Sequence, residues 1–374
     1  MMMVGLRINA IKAVQIGRMN SMSYEDGWAA INLQMPSRVP RTEYSAEMHW
    51  NLVKAVTGIA VDQNSTEQCI LRAQNAFRLA WNYDFVWDVL IFGNELGDIR
   101  TKMGHAEYAL NAGSDYNNDI NCPFKTIEDV LAFDPVDAYG QKNKQDIVLR
   151  FESDYKDACK QYPDGVNMTG IYITCLSGLI EIFGWDMMLM AMGTDSDRFG
   201  QIANRYAQWI QQYFDALAET AVPVVMVHDD ITWTSGPFVH PNWYRQYVFP
   251  NYKKYFAPLI DSGKKIIYTS DGDYTVFVDD VAETGVHGFV MEPTTDMAYV
   301  AEKYGKTHVI VGNADTRVLL DGTKDQIKAE VERCMTIGKD CPGFFMAVGN
   351  HIPPNTPVEN AIYYNDVYKK LSRR

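Results

Sequence analysis

The chain is poor in thiols, in basic charge and in long apolar runs. Its 374 residues include six cysteines, Cys69, Cys122, Cys159, Cys175, Cys334 and Cys341, scattered and without a C-x-x-C pair. This spacing argues against a disulfide scaffold, and reduced thiols point to a cytoplasmic location. Lys and Arg number 34 against 47 Asp and Glu, a formal net charge of −13. That balance offers no basic patch for nucleic acid and no attraction to an anionic membrane. No segment approaches the roughly 18 unbroken apolar residues of a bilayer span. The opening stretch MMMVGLRINAIKAVQIGRMN lacks the compact apolar core and small-residue cleavage site of a secretory leader. Also missing are G-x-G-x-x-G after a strand, a P-loop, G-x-S-x-G and H-E-x-x-H. With them go the dinucleotide fold, the nucleotide hydrolase, the serine hydrolase and the zinc protease.

What remains is a regular alternation of strands and helices. Apolar runs predict strands at 85–92, 168–175, 223–228, 265–269 and 288–291. Two more end in Gly312-Asn313-Ala314-Asp315 and Gly349-Asn350-His351. Helical periodicity fills 67–81, a long stretch up to about Ala221, 241–256 and 323–337. Thr323 with Gln326 forms a capping box pattern, and Gly338 stands where a helix C-terminus favours glycine. The run Met187-Met188-Leu189-Met190-Ala191-Met192 reads as buried helix, since methionine adapts to irregular packing. Seven strands with helices between most of them predict an α/β fold, a (β/α)8 TIM barrel with one weak strand. The expected organisation is one domain over residues 1–374, with a helical extension up to about 75 capping a barrel from about 80. No strand is assigned between 100 and 150.

In a parallel barrel the strand C-termini converge on one face, where the chemistry sits. Polar residues gather there: Asp88, Asp229, Asp230, Asp271, Asp273, Asp315, His228 and His351. Acids at such a mouth can bind metal, donate protons or orient substrate; singly, each could equally cap a loop or a helix. The candidate catalytic residues are Asp88, Asp229, Asp230, Asp271 and His351. Trp233, Phe238, Tyr268, Tyr274 and Asn350 are the candidate substrate contacts, because aromatics among a few polar groups suit a flat, largely apolar ligand.

At these residues the sequence resembles a known family. HDDITWTSGPFVHPNWYRQYVFPNYKKYF, YTSDGDYT, GNADTRVLLDGT and GNHIPPNTPVEN are similar to blocks of the uroporphyrinogen decarboxylase-like superfamily, most of all its corrinoid-dependent methyltransferase branch. RVPRTEY near the start and WDVLIFGNELG around Asp88 extend the likeness, so it runs from about 38 to 365. The resemblance implies a barrel of uroporphyrinogen decarboxylase type with its site at the strand C-termini. Three activities follow. A tetrapyrrole decarboxylase would keep Asp88 as the family's first-strand aspartate, but SRVPRTEYS stands where that enzyme has an arginine-rich carboxylate clamp. A thiol-methylating enzyme would need an H-x-C … C zinc pattern, and the matching positions here are Thr269, Asp271 and Asn350. An O-demethylase would pass the methyl group of an aryl methyl ether to cob(I)alamin on a separate corrinoid protein. That cofactor is itself the nucleophile, so the protein need only hold the ether and stabilise the departing oxygen. This is the expected activity. A zinc ion, if held, would take Asp271, Asp273 and His351. Methanol, methylamines or thiols are alternative partners of the same chemistry, and a degenerate barrel that only binds a corrinoid protein is the alternative to an enzyme.

Overall fold

A computed structural model describes residues 23–101 and 121–374. Its main sheet is parallel and runs β10-β9-β8-β7-β4-β3. These strands are β3 (Thr169–Ile171), β4 (Val224–His228), β7 (Lys265–Ser270), β8 (Gly288–Met291), β9 (Val309–Val311) and β10 (Phe344–Phe345). β1 (Phe85–Val86) pairs in parallel with β2 (Val166–Asn167), and β2 leads into β3 across Met168. A parallel bridge from Ile91 to Ile171 continues that pairing.

The ring closes through residues 40–42. Met346 N–H donates to Pro40 O at 2.9 Å, Thr42 N–H to Met346 O at 3.2 Å, and Asp84 N–H to Arg41 O at 2.9 Å. The segment therefore lies between β1 and β10 and takes the place of an eighth strand, with a single parallel bridge, Arg41 to Met346. The barrel thus opens near residue 40, not near 80. Pro36 and Pro40 do break helix here, but the segment they bound is wall and not cap.

Two buried carboxylates hold this wall. Asp84 accepts both Arg38 guanidinium nitrogens, at 2.6 and 2.7 Å, and the amides of Ser23 and Arg41. Glu43 accepts from Arg41, the Tyr364 hydroxyl and the Val348 amide. The Arg41 guanidinium also lies over the rings of Trp81, Tyr364 and Tyr368. Both arginines are thus committed within the protein, on the outer side of the wall.

Alternation along the strands divides the apolar residues between two cores. Phe85, Met168, Val224, Met226, Ile267, Val290, Val311 and Phe345 fill the barrel interior, and Ala30 and Ile31 of helix Tyr24–Ile31 join them. Val86, Ile171, Val225, Val227, Tyr268, Phe289, Ile310 and Phe344 face the helix layer. The long predicted helix before Ala221 is two, Leu176–Thr194 and Ser196–Ala218. The first is long and apolar enough to cross a bilayer, yet 67% of it is buried in this core, and Gly184 kinks it. Met188 and Met192 are buried within it, and Met190 is exposed. The capping box at Thr323 and Gln326 starts helix Lys324–Gly338. Gly338 is its last residue; a Cβ there would meet the Phe344 ring at 2.6 Å. Of the unassigned stretch from 100 to 150, helices Ile127–Leu131, Pro135–Tyr139 and the start of Lys144–Gln161 are described, and 102–120 lie outside the described residues.

Replacing Asp84 by Asn should lower stability by about 3–5 kcal/mol, the cost of stranding one charge of a buried pair. Urea unfolding would register this as a lower midpoint with an unchanged slope. An unmoved midpoint would mean that closure does not rest on this carboxylate.

Candidate active site

Period-two alternation also sorts the residues just past the strand ends. Met226 faces the barrel interior, so His228 and Asp230 follow it inward, while Asp229 turns to the helix layer. Ile267 sets the same face for Thr269 and Asp271. His228, Asp230 and Asp271 form the resulting cluster, with one ligand atom from each lying within 4.8 Å of the others. The His228 Nε2 to Asp230 Oδ1 distance is 3.2 Å. Asp230 also accepts the Asp271 amide at 3.0 Å, and its own amide donates to Ser177 Oγ at 2.8 Å. The imidazole stacks on Tyr172 with ring centroids 3.8 Å apart and planes 9° from parallel. Burial works against its charge, but Asp230, aided by Asp271 and Asp229, holds it protonated up to about 9. Burial raises Asp230 in turn, and the imidazolium with the Asp271 amide outweighs this and keeps it below the ordinary carboxylate range.

Several predicted site residues sit elsewhere. Asp229 is fully buried in the helix layer, where it accepts the amides of Ser177 and Cys175 and the Tyr252 hydroxyl at the start of helix Leu176–Thr194. It holds that helix against the barrel and does not face the cavity. Asp88 lies between Trp87 and Val89, which pack on the interior core, so it points outward. Burial and Asp154 push it up to about 6. Tyr268 is buried in the outer layer with its hydroxyl on Asp229 O, and Tyr274 donates to Val290 O. Neither tyrosine can touch a ligand in the barrel. Asp273 accepts both the amide and the hydroxyl of Thr275 and so fixes its own turn. His351 lies on Ser45, Nδ1 to Oγ 2.7 Å. The metal set predicted as Asp271, Asp273 and His351 therefore becomes His228, Asp230 and Asp271, the group that among the described residues can meet at one ion. One nitrogen and two oxygen donors suit a divalent cation such as zinc, which would occupy the place the shared proton holds.

Asn350 donates to Glu292 Oε1 at 2.6 Å, and Glu292 Oε2 accepts the Gly272 amide at 2.8 Å. Glu292 directly follows β8 on the inward parity of Val290, and counting from that valine identifies it. Trp233, 45% exposed, and Phe238 group with Trp185 at centroid distances of 5.1 to 5.8 Å. Trp233 rides on a short hairpin, β5 (Thr232–Trp233) with β6 (Gly236–Pro237). Asp273 N–H donates to Trp233 O, and Thr232 Oγ1 donates to Asp271 O. Gly272 (φ +78°) permits this contact, since a Cβ would lie 2.6 Å from Trp233 O. Aromatic rings that do face inward were not singled out from sequence: Tyr44, Trp87 and Tyr172 are half-buried and pack on the interior core.

Comparison with known proteins now bears on the chain. The family model for uroporphyrinogen decarboxylase matches residues 120–371. The chain belongs to that family. Curated relatives are distant. A uroporphyrinogen decarboxylase of Syntrophotalea carbinolica is 29% identical over 161 residues, 43% of this chain and 45% of that protein. One from Carboxydothermus hydrogenoformans is 27% identical over 212 residues, 55% and 58% of the two chains. The chain thus spans about half the length of the relatives it matches. Among solved structures, a methyltransferase from Methanosarcina mazei superposes with a TM-score of 0.62 at 16% identity, covering 93% of this chain and 99% of that one. That likeness shows the fold, a (β/α)8 barrel.

Titration with zinc should find one site. His228→Ala or Asp271→Asn should weaken it beyond the roughly 10–100-fold that losing an outer partner costs, and Asp273→Asn should not. Competition with a chromogenic chelator measures all three, and equal effects at Asp273 and Asp271 would overturn the ligand assignment.

Proposed function

We propose that this protein takes the methyl group of an aryl methyl ether and passes it to cob(I)alamin carried by a separate corrinoid protein. The observation that carries the reading is the interior itself. Tyr44, Trp87 and Tyr172 supply flat apolar walls, and beside them His228, Asp230 and Asp271 supply nitrogen and oxygen groups with no cysteine among them. An aryl ether needs a flat slot for its ring and polar groups for its oxygen. Thiol activation needs a thiolate on the metal, which this cluster does not provide.

The tetrapyrrole alternative loses its support at the arginines. Arg38 and Arg41, the cations of the segment matching the carboxylate clamp, are spent on Asp84 and Glu43 outside the cavity. A substrate bearing many carboxylates would find neither.

Cob(I)alamin supplies the nucleophile. This chain's residues hold the ring and lower the cost of charge gathering on the leaving oxygen. A positioned acid contributes about 10²–10⁴-fold to such a step, and protonated His228 is that acid. A cation held by His228, Asp230 and Asp271 would supply Lewis-acid stabilisation in its place.

Purified protein, cob(I)alamin and a panel of aryl methyl ethers, methanol and methylamines form the test. Loss of the cob(I)alamin absorbance matched by phenol release is expected with aryl ethers. Asp271→Asn should depress transfer far more than ether binding, since Asp271 supports the protonated His228 that meets the charge developing in the transition state. Trp233→Ala should mainly raise KM. Methanol or methylamine serving while every aryl ether is inert would overturn the substrate, and decarboxylation of uroporphyrinogen would overturn the reaction.

A further inference from the structure

Among the described residues, Tyr44 Oη and Thr269 Oγ1 on the inner wall are covered and have no hydrogen-bond partner. A covered hydroxyl without a partner forfeits its hydration and gets nothing back, so each such group calls for an explanation. Tyr44 is the more telling. It lies two residues past the wall segment that closes the barrel, and its ring stands edge-on to Trp87 at 5.1 Å. The residue as a whole is half-buried while its oxygen is covered. Thr269 is the register partner of His228 and lies one pleat below Asp271. Both hydroxyls therefore belong to the inner side of the barrel, the side to which the carboxylate cluster also turns.

We infer that Tyr44 is a further catalytic residue, whose hydroxyl donates a hydrogen bond to the ether oxygen and to the phenolate that it becomes. This rests on the aryl ether reading and names the group that meets the leaving atom. As the methyl carbon parts from oxygen, the carbon–oxygen electron pair stays on oxygen, and the electron pair of cobalt(I) makes the new carbon–cobalt bond. Tyr44 keeps its proton throughout, and the phenolate takes its own from protonated His228, which regains it from water on release. Burial, then Glu43, Tyr274 and Asp271, raise the Tyr44 phenol well above its ordinary range, so it remains a donor at any working pH. An ether oxygen is a weak acceptor and a phenolate a strong one, so the bond tightens as charge develops, which is the condition for lowering a barrier.

The test uses 4-nitrophenol, which is yellow only as phenolate, with 4-nitroanisole as the uncharged ether. The whole chain should bind nitrophenolate and lower the apparent pKa of the bound phenol. Tyr44→Phe should weaken nitrophenolate by about 10–100-fold, the loss of a hydrogen bond to a charged acceptor, and raise the bound phenol's pKa. Nitroanisole affinity should change far less. Tyr44→Leu repeats the measurement should the phenylalanine variant unfold. Equal nitrophenolate affinity with and without the hydroxyl overturns the inference and leaves the aryl ether reading intact. A wild-type protein that binds neither probe overturns both.

Discussion

Closure of the barrel by residues 40–42 is the constraint on which the other parts depend. A parallel barrel has no stable open form in which its interior residues stay dry, so one wall position must be filled even where the sequence provides no strand. The chain meets this with a short ladder reinforced by carboxylates. Asp84 and Glu43 accept backbone amides of the wall as well as the Arg38 and Arg41 guanidinium groups. Buried charge is costly unless every partner is present, and here each carboxylate has several. With the ring closed, the strand ends are fixed relative to one another. His228 and Asp271, 43 residues apart in sequence, then meet at the neighbouring ends of β4 and β7.

Much of this was legible in the residues. Val- and Ile-rich runs marked the seven ordinary strands because a strand buried on both faces leaves an unbroken apolar signature. The eighth position left none. Arg38-Val39-Pro40-Arg41-Thr42-Glu43 is charged and carries a proline, and its place in the wall depends on partners at Asp84, Asn365 and Tyr364 that no local pattern contains. At the mouth the acids were found but not sorted. Asp229 and Asp230 look equivalent as a pair, yet adjacent strand residues face opposite ways, so one serves a helix and the other the cavity. Counting alternate residues from Met226 or Ile267 would have separated them, and would have raised His228 above His351. The same count from Phe85 turns Asp88 outward and Trp87 inward.

The hairpin bearing Trp233 and the loop bearing Asp271 act as one unit. Their link is backbone to backbone at Trp233 and Asp273, and Gly272 brings the two chains closer than any side chain allows. The Trp233 ring and the Asp271 carboxylate, sharing that foundation, cannot drift independently, which favours the pre-set geometry that positioning catalysis requires. The family relationship accommodates this, since loops at the strand C-termini vary while the barrel persists.

Helix Leu176–Thr194 has a consequence for how the chain is made. Part of its cover comes from helix Ser196–Ala218, and its first turn is held by Asp229 just past β4, both still to be synthesised when it leaves the ribosome. Until then the nascent chain displays a segment with the hydropathy of a membrane anchor. Truncated products that stop soon after this helix would expose it permanently, so any attempt to divide the protein into halves should cut after β4 and not before it.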